Sequence, residues 1–170
     1  MSLKIAPPDP ELLKKLDFKN PALWVATGLG CGLMRPGPGT WGTLGALPVG
    51  VIILALGGQI ALLLAIALLI PIGLWASAEF EKMSGSHDNS MIVIDEAAGI
   101  WITLLACTLS PLSIILAFLL FRFFDILKPW PVSWLDKNIG GAAGVMLDDI
   151  AAGMLGALCL WGIHHYALAG

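Results

Sequence analysis

Five carboxylates stand at the borders of apolar runs: Asp95 and Glu96 before one, Asp125 at the end of the next, and Asp148 and Asp149 before the last. Ionisable side chains near hydrocarbon are costly, and they mark ion, proton or substrate sites. Acids gathered from separate segments, with few bases beside them, suit a hard divalent cation that takes oxygen ligands and binds phosphate directly. On this reading Asp95, Glu96, Asp125, Asp148 and Asp149 are metal ligands, and Asp95, Glu96, Asp148 and Asp149 also carry the catalysis. The plainer reading is helix capping, because an acid in a first turn accepts backbone N–H bonds and complements the helix dipole. Capping accounts for one acid per helix start, not two. Arg122 stands three residues before Asp125, within i,i+3 reach on a helix. With Lys128 it offers phosphate oxygens a guanidinium fork and an ammonium point charge. His87, beside Asp88, is a candidate ligand or proton shuttle. Asp136 falls in the loop after Lys128, outside the acid cluster, and His164-His165 near the opposite end is read as inert.

The elements that must position these residues are apolar helices. The chain is 58% hydrophobic and 12% charged, against roughly 25% charged residues in soluble domains. The expected fold is all-α, a polytopic membrane bundle of about five embedded helices plus an N-terminal interfacial helix and a short half-helix. A net charge of −3 over 170 residues supplies no basic stripe for nucleic acid. Cys31, Cys107 and Cys159 are scattered among apolar or small residues, as buried free thiols are.

Residues 1–20 form an N-terminal segment with Lys4, Lys14, Lys15 and Lys19 and no signal-peptide core. There, Leu12, Leu13 and Leu16 share a face suited to a membrane surface. Residues 21–170 form the membrane-embedded domain. Leu23 to Met34, rich in glycine, is too short to span and reads as a half-helix. RPGPGTWG, from Arg35 to Gly42, is loop chemistry. No charge occurs from Pro36 to Ala78, room for two crossings turned at Gly57-Gly58-Gln59. A second hairpin, broken at Ser110-Pro111, runs from Ala97 to Leu127, and a last crossing from about Val145 to Leu168. With the lysine-rich N-terminus on the cytoplasmic side by the positive-inside rule, all five acids lie on that face at headgroup depth.

Three ordered blocks, GLGCGLMRPGPGTWGTLGALP, HDNSMIVIDEAAGIWITL and FRFFDILKPWPVSWLDKNIGGAAGVMLDDIAAG, resemble the phosphatidylglycerophosphatase A family from about Asn20 to the C-terminus. The resemblance implies Mg²⁺-dependent hydrolysis of the terminal phosphomonoester of phosphatidylglycerophosphate at the bacterial inner membrane, with the active site facing the cytoplasm. It points to Thr40, Gly42, His87, Asp88, Asp95, Glu96, Arg122, Asp125, Lys128, Asp148 and Asp149, with Thr40, His87, Arg122 and Lys128 on the substrate side. The expected partners are the lipid substrate and the membrane, with neither nucleic acid nor an obligate protein partner. One metal or two, the identity of the general base, and an aspartyl-phosphate route stay open. The rival reading is a cation-binding transporter subunit, which requires ionisable residues through the bilayer depth. Ile60 to Ile70 has none.

Overall fold

A computed structural model of the chain describes residues 10–86 and 89–166. It is helical, with no strand among the described residues. The elements are α1 (Pro10–Lys15), α2 (Pro21–Ala26), a 3-10 turn (Cys31–Leu33), α3 (Pro38–Ser84), α4 (Ile94–Leu104), α5 (Pro111–Leu127), α6 (Val132–Asn138) and α7 (Gly141–Tyr166).

α3 is two limbs, not one rod. Gly58, at φ 69° and ψ −170°, adopts backbone angles open essentially to glycine alone. Before it, Gly42 packs so closely on Val93 that a Cβ would stand 2.5 Å from the valine Cβ; after it, Gly73 lies against neighbouring Ile94. A straight helix would hold residues 42 and 73 roughly 46 Å apart. The chain therefore doubles back at the glycine turn read from the sequence. Gln59 ties the turn down by donating from Nε2 to the Leu105 carbonyl at 3.0 Å.

α4 is the hub. Ten of its eleven residues are buried, and α3, α5 and α7 all pack on it. Eleven residues rise roughly 16 Å, so the first arm of the expected second hairpin is about half a crossing. Two helices, α3 and α7, are long and apolar enough to cross a membrane, and they suggest membrane association. Along α5 the exposed residues Leu112, Ile115, Leu119 and Phe123 recur at helical spacing and turn an apolar stripe outward.

The N-terminal region differs from expectation in two ways. The leucine stripe docks on protein rather than standing apart: Leu16 is buried, and Leu12 and Leu13 pack against the core beside it. The half-helix shrinks to α2, because the Thr27 N–H donates the closing backbone bond to the Leu23 carbonyl and the glycines that follow take positive φ at Gly28 and Gly30. α2 still matters to the core, since Ala22, Leu23 and Ala26 are buried and the Ala26 carbonyl accepts from Val93 N–H at 2.8 Å.

A methyl group at Gly58 would meet nothing within 4 Å, so Gly58→Ala isolates the backbone term. It should lower stability in detergent by roughly 1–3 kcal/mol. Gly162→Ala, equally open but inside α7, should be neutral or stabilising by up to about 1 kcal/mol. Thermal unfolding of the two variants beside the parent checks both signs.

Candidate active site

The acids meet where four helix ends converge. α4 and α7 run side by side in the same direction, in contact through glycine: a Cβ on Gly153 would stand 2.4 Å from the Gly99 carbonyl oxygen. The Thr103 hydroxyl fills the seam, donating within reach of both the Gly99 and Gly153 carbonyls at 3.1 Å. One turn nearer the helix starts, the residues four before each glycine are Asp95 and Asp149. Phe121 of α5 closes on the same Gly99, which sets Arg122 and Asp125 beside the acids.

The result is a cavity of about 150 Å³ whose walls include Asp95, Glu96, Asp125, Asp136, Asp148, Asp149 and Lys128. Oxygens of Glu96, Asp125 and Asp149 lie within 4.8 Å of one another. Asp95 Oδ1 and Asp149 Oδ2 are buried with no hydrogen-bond partner among the described residues. Unpaired buried carboxylate oxygens are expensive, and a hard cation is the partner that would satisfy several at once. The donor set, all oxygen and more acids than bases, fits a divalent ion.

Capping does not explain the second acid pair. α7 begins at Gly141 rather than near Val145, and no acid lies in its first turn. Asp148 and Asp149 stand two turns in, among buried residues. The sequence reading places the helix start about four residues late, because glycines such as Gly140, Gly141 and Gly144 are poor helix formers. In the fold Gly141 to Gly144 are helical, and Gly144 has no room for a side chain, with the Ile139 carbonyl oxygen 2.0 Å from where its Cβ would be.

Glu96 is held from the side. Thr43 Oγ1 donates to Glu96 Oε2 at 2.8 Å, and Arg122 Nη1 pairs with the same oxygen. Arg122 also bridges to Asp125 Oδ2 at 2.8 Å, the i,i+3 pair expected from the sequence. Its Nη1 also donates to the Thr43 hydroxyl at 3.4 Å, and Arg122 does not line the cavity. Arg122 thus braces Glu96 against Asp125. Gly39 makes the arrangement possible: a Cβ there would stand 2.0 Å from Glu96 Oε1. Neither Gly39 nor Thr43 is singled out by the sequence reading, which takes RPGPGTWG, Arg35 to Gly42, as loop. In the structure Gly39 and Thr43 open α3, and Thr43 rather than Thr40 touches the acids. Thr40, half-buried, does not line the cavity. His87 and Asp88 lie outside the described residues.

Lys128 is the basic residue on the cavity wall among the described residues. It ends α5 in the left-handed region, φ 43°, and its Nζ pairs with Asp148 Oδ2 at 2.5 Å and with Asp136 Oδ1. Burial pulls its pKa down, but hydrogen bonds and charge from Asp136 and Asp148 outweigh that and hold it above the ordinary lysine range. Asp136, expected outside the cluster, belongs to it, because residues 132–138 form α6 and not an open loop. His164, at the opposite end of α7, has a buried Nε2 without a partner and stands far from these acids along the helix.

Comparison with known proteins gives one consistent answer. A family profile described as phosphatidylglycerophosphatase A matches residues 24–164. The phosphatidylglycerophosphatase A of Haemophilus influenzae is 40% identical over 157 residues, covering 92% of this chain and 96% of that one. That of Escherichia coli is 40% identical over 156 residues, covering 91% and 90%. A Bacteroides thetaiotaomicron relative, provisionally assigned as a phosphatidylinositol-3-phosphatase, is 39% identical over 137 residues, 76% of this chain and 85% of its own. No solved structure matches. The family match spans the site from Thr43 to Asp149, and the chain belongs to the phosphatidylglycerophosphatase A family.

Proposed function

We propose that the chain hydrolyses the terminal phosphomonoester of phosphatidylglycerophosphate, giving phosphatidylglycerol and inorganic phosphate, at the cytoplasmic face of a bacterial inner membrane. The observation that carries this reading is the convergence of buried carboxylates from α4, α5 and α7, with unpartnered oxygens on Asp95 and Asp149, at one end of an apolar bundle. The relatives named for this reaction support the choice of substrate.

Mg²⁺ suits a site of oxygen donors that must also hold a phosphate. When bound, it would draw charge from the phosphoryl oxygens and make a water acidic enough to attack. Glu96, Asp125 and Asp149 would hold it, with Asp95 and Asp148 completing the acid wall. Arg122 keeps Glu96 and Asp125 at fixed separation, so the site is formed before substrate arrives. Lys128 gives a phosphate oxygen an ammonium N–H. A carboxylate oxygen with no protein partner, on Asp95 or Asp149, accepts the proton as water attacks in line. The P–O bond to water forms, the P–O bond to glycerol breaks, and the proton passes to the leaving alkoxide. Thr40 and His87 keep a substrate-side assignment by family resemblance alone. The topology follows the same reading: several membrane-embedded segments, the acid end cytoplasmic, and the lipid's acyl chains left along the apolar exterior.

Purified protein in detergent should release phosphate from phosphatidylglycerophosphate with Mg²⁺ and lose that activity on chelation. Mg²⁺ should also raise the unfolding temperature, since a ligand that binds only the folded chain stabilises it. Full activity after exhaustive chelation would sink the metal assignment.

Asp149→Asn separates charge from shape. It should cost on the order of 10²-fold or more in turnover. Without metal it should leave stability unchanged or raised, because one repelling charge is gone, and the stabilisation by Mg²⁺ should shrink. A turnover within a few-fold of the parent would return Asp149 to a structural role.

Single cysteines at Ser86 and Asn138, in a variant without Cys31, Cys107 and Cys159, should label together with an impermeant thiol reagent from the cytoplasmic side. Cysteines at Gln59 and Ser110 should label from the other. Opposite behaviour of Ser86 and Asn138 would disprove a single-faced site.

A further inference from the structure

The cavity wall offers an incoming phosphate six carboxylates and one ammonium, that of Lys128. Lys128 is shared between Asp148, on the deep wall and 8% exposed, and Asp136, at the rim and 39% exposed. The two partners do different work. Asp148 neighbours Asp149, whose oxygen closes on Glu96 and Asp125, so any cation placed there competes with Lys128 for Asp148. Asp136, on α6, is the more exposed of the two partners and is not one of the three acids whose oxygens converge. An ammonium on a flexible four-carbon stem keeps a position only while a fixed anion holds it.

Resting on the phosphatase reading above, we propose that Asp136 is a positioning residue: from the rim it holds the Lys128 ammonium toward the substrate phosphate when Asp148 turns to the cation. A structural role is a weak competitor, because an ion pair exposed to this degree adds little to a fold's stability. The left-handed backbone at Lys128 supports the same assignment. It lets the side chain leave the end of α5 and turn back over the cavity, where both acids reach it.

Asp136→Asn keeps the side chain's size and removes the charge that fixes Lys128. The ammonium is then drawn inward to Asp148. KM for the lipid and the inhibition constant for inorganic phosphate should rise together, on the order of 10-fold, the scale of one charge-assisted hydrogen bond. kcat and unfolding temperature should change little. Asp136→Glu should recover most of the loss. In a Lys128→Met background, Asp136→Asn should add nothing, since residues acting through one another are not additive.

An equal further loss in that background would overturn the proposal, as would a fall in kcat and unfolding temperature with the phosphate inhibition constant unmoved. A parent that releases no phosphate from the lipid would overturn the phosphatase reading instead. The positioning role would then stand or fall on whether the thermal stabilisation given by inorganic phosphate with Mg²⁺ drops in Asp136→Asn.

Discussion

Where α4 crosses α7, neither Gly99 nor Gly153 has room for a methyl group. Apolar side chains gain nothing by leaving lipid for protein, so helices in a membrane associate through close backbone packing and interhelical hydrogen bonds, which small residues permit. Thr103 supplies the bonds across this seam. Everything in the site is placed from there. One turn up lie Asp95 and Asp149, and α5 enters on the same glycine through Phe121. Widen the crossing by one methyl and the acids separate, together with Arg122 and Asp125. The site's geometry is thus fixed by uncharged residues below it.

That crossing works against an electrostatic cost. Two ionised carboxylates within 4.8 Å repel by roughly 3 kcal/mol at an effective dielectric of about 20. Arg122 offsets part of this for Glu96 and Asp125, and Lys128 does so for Asp148. Among the described residues no ion pair joins a base to Asp95 or Asp149. The packing forces them together nonetheless, which is how a protein stores affinity for a cation: binding the ion relieves repulsion that folding has already imposed.

The sequence exposes the expensive features best. Acids beside hydrocarbon are legible because little else explains them, and Gly57-Gly58 between uncharged apolar runs is legible because a hairpin needs a turn. What is hidden depends on contacts between segments distant in the chain. The structural use of Gly39 appears only when Glu96 is packed against it. Thr43 differs from Thr40 only by facing α4 and α5. Gly140, Gly141 and Gly144 are poor helix formers, yet tertiary packing favours small residues there and the helix begins early. Asp136 escapes because a seven-residue helix between Pro131 and Ile139 is too short to declare itself by periodicity. The half-length of α4 is hidden as well: an uncharged run fixes no helix end, and Cys107, bonded to Ser113, turns the chain before a full span is complete.

The same structure separates hydrolysis from transport. A cation held by these acids could cross only through polar groups further along the bundle. Below the acids the bundle is closed by Phe121, Ile100, Leu104 and Leu160, all fully buried. Thr103 is the polar side chain at the seam, and its hydroxyl is committed to two backbone carbonyls. Opening a path there would break the crossing that assembles the site. The acid-lined cavity and this apolar layer are therefore adjacent along the bundle. An acid-lined pocket beside an apolar layer suits a substrate whose phosphate lies in the interface while its chains stay in lipid.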